Sequence, residues 1–242
     1  MPGLVLALIA ILSLPELVLQ GADHGLWGGA RWRQLAYQYG AFWIGLLHDW
    51  RPNFAAQPWT MFASYGFLHG GAVHLAVNMI TLASLGPPLM ARLRGGGAFL
   101  LLWAVSVLGG AAGFALLAAT PRPMVGASGA LFGLAGAWVA LDAAEALRDT
   151  PGGRMARLRA CALAVALPAA ILVALNLAMI WATPGGIAWQ AHLGGFLAGA
   201  ALGAVLPRRQ PPAPSGGRRV NTCDAGSGLT GSEQPPEPSQ EK

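Results

Sequence analysis

Long apolar stretches that carry almost no charge are the feature that most constrains this chain. Charged residues make up 10% and hydrophobic residues 55% of its 242 residues, whereas about a quarter of the residues in a soluble domain are charged. A helix needs about 20 apolar residues to cross a bilayer. The sequence therefore predicts an all-α polytopic membrane protein, built as a bundle of six transmembrane helices. The predicted spans cover roughly residues 4–20, 59–90, 95–119, 128–144, 161–181 and 189–206.

The first predicted span has an alternative interpretation as a cleaved signal peptide. A signal peptide begins with a basic region and ends at a small-residue cleavage site. Residues 4–20 have neither a basic region before them nor a clear cleavage site after them. We therefore predict that this segment is a retained transmembrane helix.

Two segments outside the spans differ in character from the rest of the chain. Residues 21–58 are rich in Trp and Gly, and amphipathic aromatic residues prefer the membrane interface. A long interfacial loop is therefore predicted between helices 1 and 2, and loops of this length are usually functional. Residues 207–242 are rich in Pro, Ser, Gly and charge, which predicts a disordered tail after a transmembrane domain of residues 1–206.

The arginine residues between the spans predict the orientation of the chain. With six spans both termini lie on one side, and the side richer in Arg is cytoplasmic. The side of the termini carries Arg92, Arg94, Arg148, Arg154, Arg157, Arg159, Arg208 and Arg209, and the other carries Arg31, Arg33, Arg51 and Arg122. Both termini and the tail are expected to be cytoplasmic, and the membrane to be a bacterial inner (plasma) membrane. The Arg clusters are interpreted as topology signals and not as a nucleic-acid-binding surface.

Polar side chains gather at the outward-facing ends of three predicted spans. Ser128 begins the fourth span, His192 lies near the start of the sixth, and His74 near the start of the second. Asn78 stands four residues after His74 and shares its helix face. Polar groups within spans are costly and usually face the protein interior or a water-filled cavity. The topology thus brings groups that are distant in sequence to one membrane depth.

Small residues offer a way for Ser128 and His192 to meet. Two small-residue edges are present, Gly195, Gly199 and Gly203 on the sixth span and Gly129, Gly133 and Ala137 on the fourth. Such edges allow helices to approach very closely. If they pack, the two polar side chains can reach hydrogen-bond distance, about 2.6–3.2 Å. Taken alone, a Gly-x-Ser-Gly pattern is more typical of helix packing than of an active site. The prediction therefore depends on its combination with His192 and the two small-residue edges.

The combination predicts a nucleophilic serine. A serine hydroxyl needs a base to take its proton, and the neutral imidazole of His192 suits that role. Attack creates an oxyanion, for which the free backbone N–H groups at the start of the fourth span are candidate donors, with His74 and Asn78. No Asp or Glu lies near the outward ends of spans four to six. We therefore expect a Ser–His dyad and not a triad.

The remaining ligand-type residues favour neither a metal site nor a disulfide framework. His69 and His74 lie about 140° apart on a helix, which argues against a shared metal. His69 is interpreted as a brace for the outer loop. Cys161 lies in an apolar run and Cys223 in the tail, and neither is near another ligand-type residue.

Several stretches, in order along the chain, carry a family resemblance. They are Gln57-Pro58-Trp59, Phe67-Leu68-His69, His74-Leu75-Ala76-Val77-Asn78-Met79, Gly126-Ala127-Ser128-Gly129-Ala130-Leu131-Phe132-Gly133, and Ala191-His192-Leu193-Gly194-Gly195 with Gly199. Together they resemble the rhomboid family of intramembrane serine proteases. The Arg31-Trp32-Arg33 cluster is similar to the Trp-Arg element of the family's first loop. The resemblance runs from the first span to about residue 206.

The resemblance implies a six-helix rhomboid-like bundle with a Ser–His dyad in a water-filled cavity that opens to the outer side of the membrane. Ser128 matches the position of the nucleophile and His192 that of the general base. His74 and Asn78 match the oxyanion-stabilising pair on the second span.

The resemblance also implies supporting residues and a substrate class. Gly126 belongs to the motif around the nucleophile, and Phe132 falls where the family often has an aromatic residue, commonly Tyr, that packs on the catalytic His. Substrates would be transmembrane proteins cut in or near the bilayer, often after a small residue in a segment that unwinds easily. The expected partners are these substrates and the lipid bilayer, with no metal or organic cofactor.

Access of water and substrate to a buried cavity needs an opening. Polar groups at membrane depth are tolerated only around such a cavity. The fifth span and the turn at residues 182–188 are a candidate gate, because Pro184-Gly185-Gly186 leaves this turn free to move.

Two other functions stay open at this point. A catalytically silent rhomboid-like protein could bind membrane clients, although such relatives typically lack the serine or the histidine, and this chain has both. A small polytopic transporter could line a pathway with Ser, Asn and His. The sequence gives no sign of inverted repeats or of an acidic residue at the midplane, which disfavours a transporter.

Overall fold

A computed structural model describes residues 2–29, 31–182 and 187–206, which form eight α-helices. They are α1 (Pro2–Asp23), α2 (Arg31–Gly40), α3 (Gln57–Ser64), α4 (Ala72–Arg92), α5 (Gly95–Leu117), α6 (Ser128–Asp149), α7 (Arg154–Ala182) and α8 (Trp189–Val205). The predicted tail at 207–242 and residues 183–186 of the predicted gate, which include its Pro-Gly-Gly sequence, lie outside the described residues.

The all-α polytopic class predicted from the sequence is confirmed. Five helices, α1, α4, α5, α6 and α7, are long and apolar enough to cross a bilayer. The sixth predicted span is α8, whose 17 residues extend about 25 Å at 1.5 Å per residue. That length is at the lower limit for a transmembrane helix.

The last helix, α8, packs between α5 and α6 through glycine contacts. A methyl group added at Gly195 would collide with the backbone carbonyl of Gly129, and one at Gly199 with that of Gly133. On the opposite side, Gly194 packs directly against the backbone of α5. The predicted pairing of the small-residue edges of spans four and six is therefore confirmed. Any larger side chain at these contacts would push the helices apart.

The second and fifth spans begin elsewhere than the sequence predicts. The second is predicted over residues 59–90, but α4 begins at Ala72. The separate helix α3 and a 3₁₀ turn over Tyr65–Phe67 precede it, and the break falls at Gly71, whose φ of 113° is costly for any residue with a Cβ. The fifth is predicted from about residue 161, but α7 begins at Arg154, because no Gly or Pro between Arg154 and Pro168 breaks the helix.

The connection between α1 and α4 is held to α1 by a buried ion pair. Glu16 of α1 is fully buried, and its carboxylate lies 2.8 Å from the Arg33 guanidinium of α2. Arg33 also pairs with Asp23 at 2.7 Å. Hydrogen bonding to the Glu16 carboxylate is the largest of the influences that raise the pKa of Arg33. The guanidinium also donates to the backbone carbonyl of His69 at 3.2 Å, as does the Tyr37 hydroxyl at 2.7 Å, so the outer loop is braced at that carbonyl.

A second set of contacts fixes the segment before α6. The backbone N–H of Phe42 donates to the Met124 carbonyl at 3.0 Å, and the Met124 N–H donates to the Phe42 carbonyl at 2.9 Å. The Phe42 ring is fully buried and makes edge contacts with Phe62, Tyr65 and Phe114. The interfacial connection therefore positions the strand-like segment that leads directly into α6.

An ion cluster joins α4 and α6 at their C-terminal ends. The Arg92 guanidinium lies 2.6 Å from Asp142 and 2.7 Å from Glu145. It also lies over the Trp138 ring, 5.0 Å from the ring centroid. The ends of these helices therefore lie on the same side of the bundle, opposite the first residue of α6.

Candidate active site

Ser128 and His192 meet where α6 and α8 begin. The close approach of the two helices at Gly129 and Gly195 places their polar side chains together. The Ser128 Oγ lies 2.8 Å from His192 Nε2, which is the separation expected for a hydroxyl and the base that activates it. His192 is only 9% exposed, and Ser128 is half-buried.

A cavity of about 520 Å³ opens beside this pair. Its walls come from α4, α6, α7, α8 and the segment before α6, and most of the lining is apolar. Its polar lining includes Ser128 and His192, together with His74 and Asn78 from α4 and Asn176 from α7. Such a space is large enough to hold several water molecules next to Ser128 and His192.

His74 has one ring nitrogen engaged and one that faces the serine side of the cavity. The backbone N–H of Gly70 donates to His74 Nδ1 at 3.2 Å. A neutral imidazole that accepts at Nδ1 carries its proton at Nε2. A methyl group at Gly126 would lie 2.9 Å from Nε2 and 3.7 Å from the Ser128 Oγ, so the Nε2–H group lies near the serine.

Asn78 carries a second donor in a side chain that lines the cavity. Its side chain lines the cavity and is 4% exposed. Its Nδ2 is buried and has no hydrogen-bond partner within the described part of the chain. Buried donors in folded proteins are normally paired, so an unpaired one calls for an explanation such as a ligand.

Gly126 supports the site through its shape and not through its N–H group. Its φ is 123°, and a side chain there would collide with the His74 ring. The Gly126 N–H donates to the Tyr65 carbonyl at 3.0 Å, so it is not free to bind an oxyanion. The first N–H groups of α6, beginning with that of Ser128, have no partner within their own helix.

Phe132 lies flat against the His192 ring. The two ring centroids are 4.2 Å apart and the planes differ by 2°. Phe132 stands one turn after Ser128 on α6, so the same helix holds both the hydroxyl and the stacking ring. This contact holds the plane of the imidazole.

Asn176 is the site residue that the sequence reasoning missed. Its Oδ1 lies 2.6 Å from His192 Nδ1, on the side of the ring opposite Ser128. The signal was an amide in the middle of the apolar fifth span, since polar residues in spans usually face the protein interior. The sequence predicts that no acid stands behind the histidine, and the group found in that place is a neutral amide.

His69 lies behind His74 and outside the cavity lining. The ring centroids of the two histidines are 5.4 Å apart. Both ring nitrogens of His69 are buried and have no hydrogen-bond partner among the described residues. Burial, together with the charge that His74 can carry, lowers the pKa of His69 from 6.5 to about 4.

The fold and the site define a multi-pass membrane protein with a paired serine and histidine inside its helix bundle. Residues 55–209 match the model of the Rhomboid domain. That match covers more than half of the chain, and the chain belongs to the rhomboid family.

Two relatives are similar to part of the chain. The chain is 34% identical over 148 residues to Rhomboid protease GluP of Bacillus subtilis (strain 168). It is 35% identical over 144 residues to RHOMBOID-like protein 5 of Arabidopsis thaliana. Each match covers 58% of this chain, but only 25% of the first relative and 41% of the second. The chain thus spans less than half the length of either relative.

Proposed function

We propose that this protein is an intramembrane serine endopeptidase that cleaves transmembrane protein substrates in or near the bilayer. The observation that carries the proposal is the 2.8 Å contact between the Ser128 Oγ and His192 Nε2, beside a cavity within a membrane-spanning bundle. A relative of this chain is named a rhomboid protease, which supports the same activity.

The first chemical step is acylation of Ser128. The Oγ attacks the carbonyl carbon of the scissile peptide bond, and the hydroxyl proton passes to His192 Nε2. The tetrahedral intermediate then collapses, and the C–N bond breaks. His192 gives the same proton to the departing amine, so that one product leaves and an ester to Ser128 remains.

The negative charge of the intermediate needs donors that are already in place. The Nε2–H of His74 lies near the serine, Asn78 lines the same cavity and carries a buried Nδ2 donor, and the Ser128 backbone N–H lies at the start of α6. Donors fixed before the reaction stabilise the oxyanion without reorganisation, and each is worth about 10²–10³ in kcat. In this role the Asn78 donor, which has no partner among the described residues, gains one during catalysis.

The second step is hydrolysis of the ester by water from the cavity. His192 takes a proton from the water molecule, hydroxide attacks the ester carbon, and the proton returns to the Ser128 oxygen as the bond breaks. Hydrocarbon supplies no water, so a polar cavity at membrane depth is a requirement of this chemistry. The proposed partners are therefore a transmembrane substrate, which supplies the peptide bond, and the surrounding lipid.

The orientation and domain limits belong to the same proposal. The Arg distribution supports an orientation with both termini on the cytoplasmic side and the site open to the outer side. The membrane is proposed to be a bacterial inner (plasma) membrane. The protease domain is proposed to occupy residues 1–206, with residues 207–242 as a cytoplasmic tail.

A fluorophosphonate probe on the detergent-solubilised protein tests the activated serine. The expected result is covalent labelling of the wild type and none in Ser128→Ala or His192→Ala. Ser84→Ala is the matched control, because Ser84 lies exposed on α4 away from the site. Folded wild-type protein that is not labelled but captures single-span peptides would support a membrane-protein binder and contradict an enzyme.

A further inference from the structure

The amide of Asn176 is joined to the side of His192 that faces away from Ser128. We propose that Asn176 is a positioning residue, which holds the His192 ring and its tautomer so that Nε2 is free to take the Ser128 proton. The inference rests on the proposed function, because it assigns a role within the same reaction. It adds a residue of α7 to a site otherwise built on α4, α6 and α8.

The orientation of the amide follows from its two hydrogen bonds. The Asn176 Nδ2 donates to the Leu172 carbonyl at 3.0 Å. A carbonyl oxygen is only an acceptor, so the opposite orientation would place two oxygens together. The Oδ1 therefore faces His192 Nδ1 at 2.6 Å.

The tautomer of His192 follows in turn. An amide oxygen only accepts, so the His192 Nδ1 must carry the proton and donate it to Asn176. A neutral imidazole has one N–H group, which leaves Nε2 with its lone pair towards the Ser128 hydroxyl. That tautomer is the one a general base requires. The alternative tautomer would set a proton on Nε2 against Ser128 and a lone pair against the amide oxygen.

Asn176 and Phe132 restrict different movements of the ring. The Phe132 ring is parallel to the imidazole within 2°, which fixes the plane but leaves rotation within that plane open. The hydrogen bond from Nδ1 to Asn176 lies along the ring edge and restricts rotation of the ring within its plane. With both contacts in place, the Nε2 lone pair points at the serine.

A neutral amide suits a site inside a membrane bundle. A carboxylate in this position would carry a charge into an apolar surrounding, which is costly unless the charge is fully paired. The amide orients the imidazole at no such cost, and it also holds the ring after protonation, when both nitrogens are donors. The same logic places an uncharged amide behind the histidine in Cys-His-Asn hydrolases.

The test compares three substitutions at Asn176 in cleavage of a synthetic single-span peptide in detergent. Asn176→Leu keeps the volume and removes the acceptor, Asn176→Ala removes both, and Asn176→Asp keeps an acceptor oxygen. The expected result is a fall in kcat of at least about 10-fold for Leu and Ala with KM within about twofold, because the lost interaction acts on the reacting state and not on substrate binding. Asp is expected to retain more activity than either.

A packing role predicts the reverse order, with Leu the most active variant and Asp the least. Leu177→Ala is the matched control, because Leu177 is the next residue on α7 and is 59% exposed. If Asn176→Leu cleaves the peptide at the wild-type rate, the inference is overturned. The proposed function still stands in that case, provided that cleavage is lost in Ser128→Ala. A wild type that does not cleave overturns both.

A measurement on the wild type keeps the inference testable if the variants do not fold. Nitrogen-15 spectra of protein labelled at histidine, compared with His192→Ala, report which ring nitrogen of His192 is protonated at neutral pH. Protonation of Nδ1 alone supports the assignment. Protonation of Nε2 alone contradicts it.

Discussion

At the scale of single residues, a substitution at Asn78 is expected to affect activity and stability differently. The amide nitrogen of Asn78 is a buried donor without a described partner, and such a group costs about 1–3 kcal/mol of folding free energy. Asn78→Leu is therefore expected to lower kcat by about 10²–10³ while the free energy of unfolding stays the same or rises. The measurements are peptide cleavage and thermal unfolding of the same detergent preparation. A variant that cleaves at the wild-type rate would remove Asn78 from the oxyanion site.

His69 predicts a pH dependence of stability that is distinct from catalysis. Its pKa is 6.5 in the unfolded chain and about 4 in the folded protein. Above about pH 6.5 His69 is neutral in both states and adds no pH dependence. As the pH falls from 6.5 to about 4, the unfolded chain takes up the proton first, and the folded protein loses up to about 3 kcal/mol.

The variant His69→Leu isolates this effect. The difference between its unfolding midpoint and that of the wild type is expected to change between pH 6.5 and about 4 and to level off below that range. Chemical or thermal unfolding followed by circular dichroism provides the midpoints. Parallel profiles for the two proteins over this range would show that His69 is not held neutral by the fold.

At the scale of helices, the contact of α6 with α8 sets the distance between the reacting groups. A methyl group at Gly199 would collide with the Gly133 carbonyl. Because this carbonyl belongs to the backbone of α6, it cannot rotate away as a flexible side chain can. Gly199→Val is expected to cost at least about 1–3 kcal/mol. It should also lower activity by about 10²-fold, because a displacement of 1 Å at the reacting atoms has that effect.

Ala201→Val on the same helix is the control for this prediction. Ala201 is exposed, so the same added side chain points away from α6. Unfolding temperature and cleavage rate should stay close to the wild-type values. Equal losses in the Gly199 and Ala201 variants would mean that the helix tolerates no larger residue anywhere, and that the interface is not the cause.

The helix contacts show what could be predicted from the sequence. The pairing of Gly195 and Gly199 with α6 follows from a local repeat of small residues. The repeat indicates which face of α8 packs on α6 and how closely the two helices approach. The start of α4 did not follow in that way, because residues 59–67 are as apolar as a span and only the Gly70-Gly71 pair marks the break. Apolar composition alone does not tell one long helix from two.

The partners of Asn176 and Glu16 could not be predicted from the sequence for a different reason. Asn176 and Glu16 each stand as a polar residue in an apolar helix, which indicates a buried partner but does not identify it. The partner of Asn176 depends on how α7 is rotated against α6 and α8. The partner of Glu16 is Arg33, on a helix of the interfacial connection. Both pairings are set by tertiary packing, which leaves no local trace in the sequence.

At the scale of the whole molecule, the bundle has one set of charged contacts on each side, and the site lies towards the side of the Glu16–Arg33 pair. The Glu16–Arg33 pair ties the interfacial connection to α1 on one side. The Arg92 cluster ties α4 to α6 on the other. The middle is built from apolar and glycine contacts, which let α8 carry His192 to the serine of α6. The architecture therefore holds a polar serine–histidine pair among apolar and glycine contacts.

The central proposal is that this protein cleaves a peptide bond with Ser128 and His192. The most direct measurement is cleavage of a synthetic single-span peptide, reconstituted with the protein in lipid vesicles and followed by mass spectrometry of the fragments. Two complementary fragments are expected from the wild type and from Ser84→Ala, and none from folded Ser128→Ala or His192→Ala. Fragments that persist unchanged in folded Ser128→Ala would contradict this proposal.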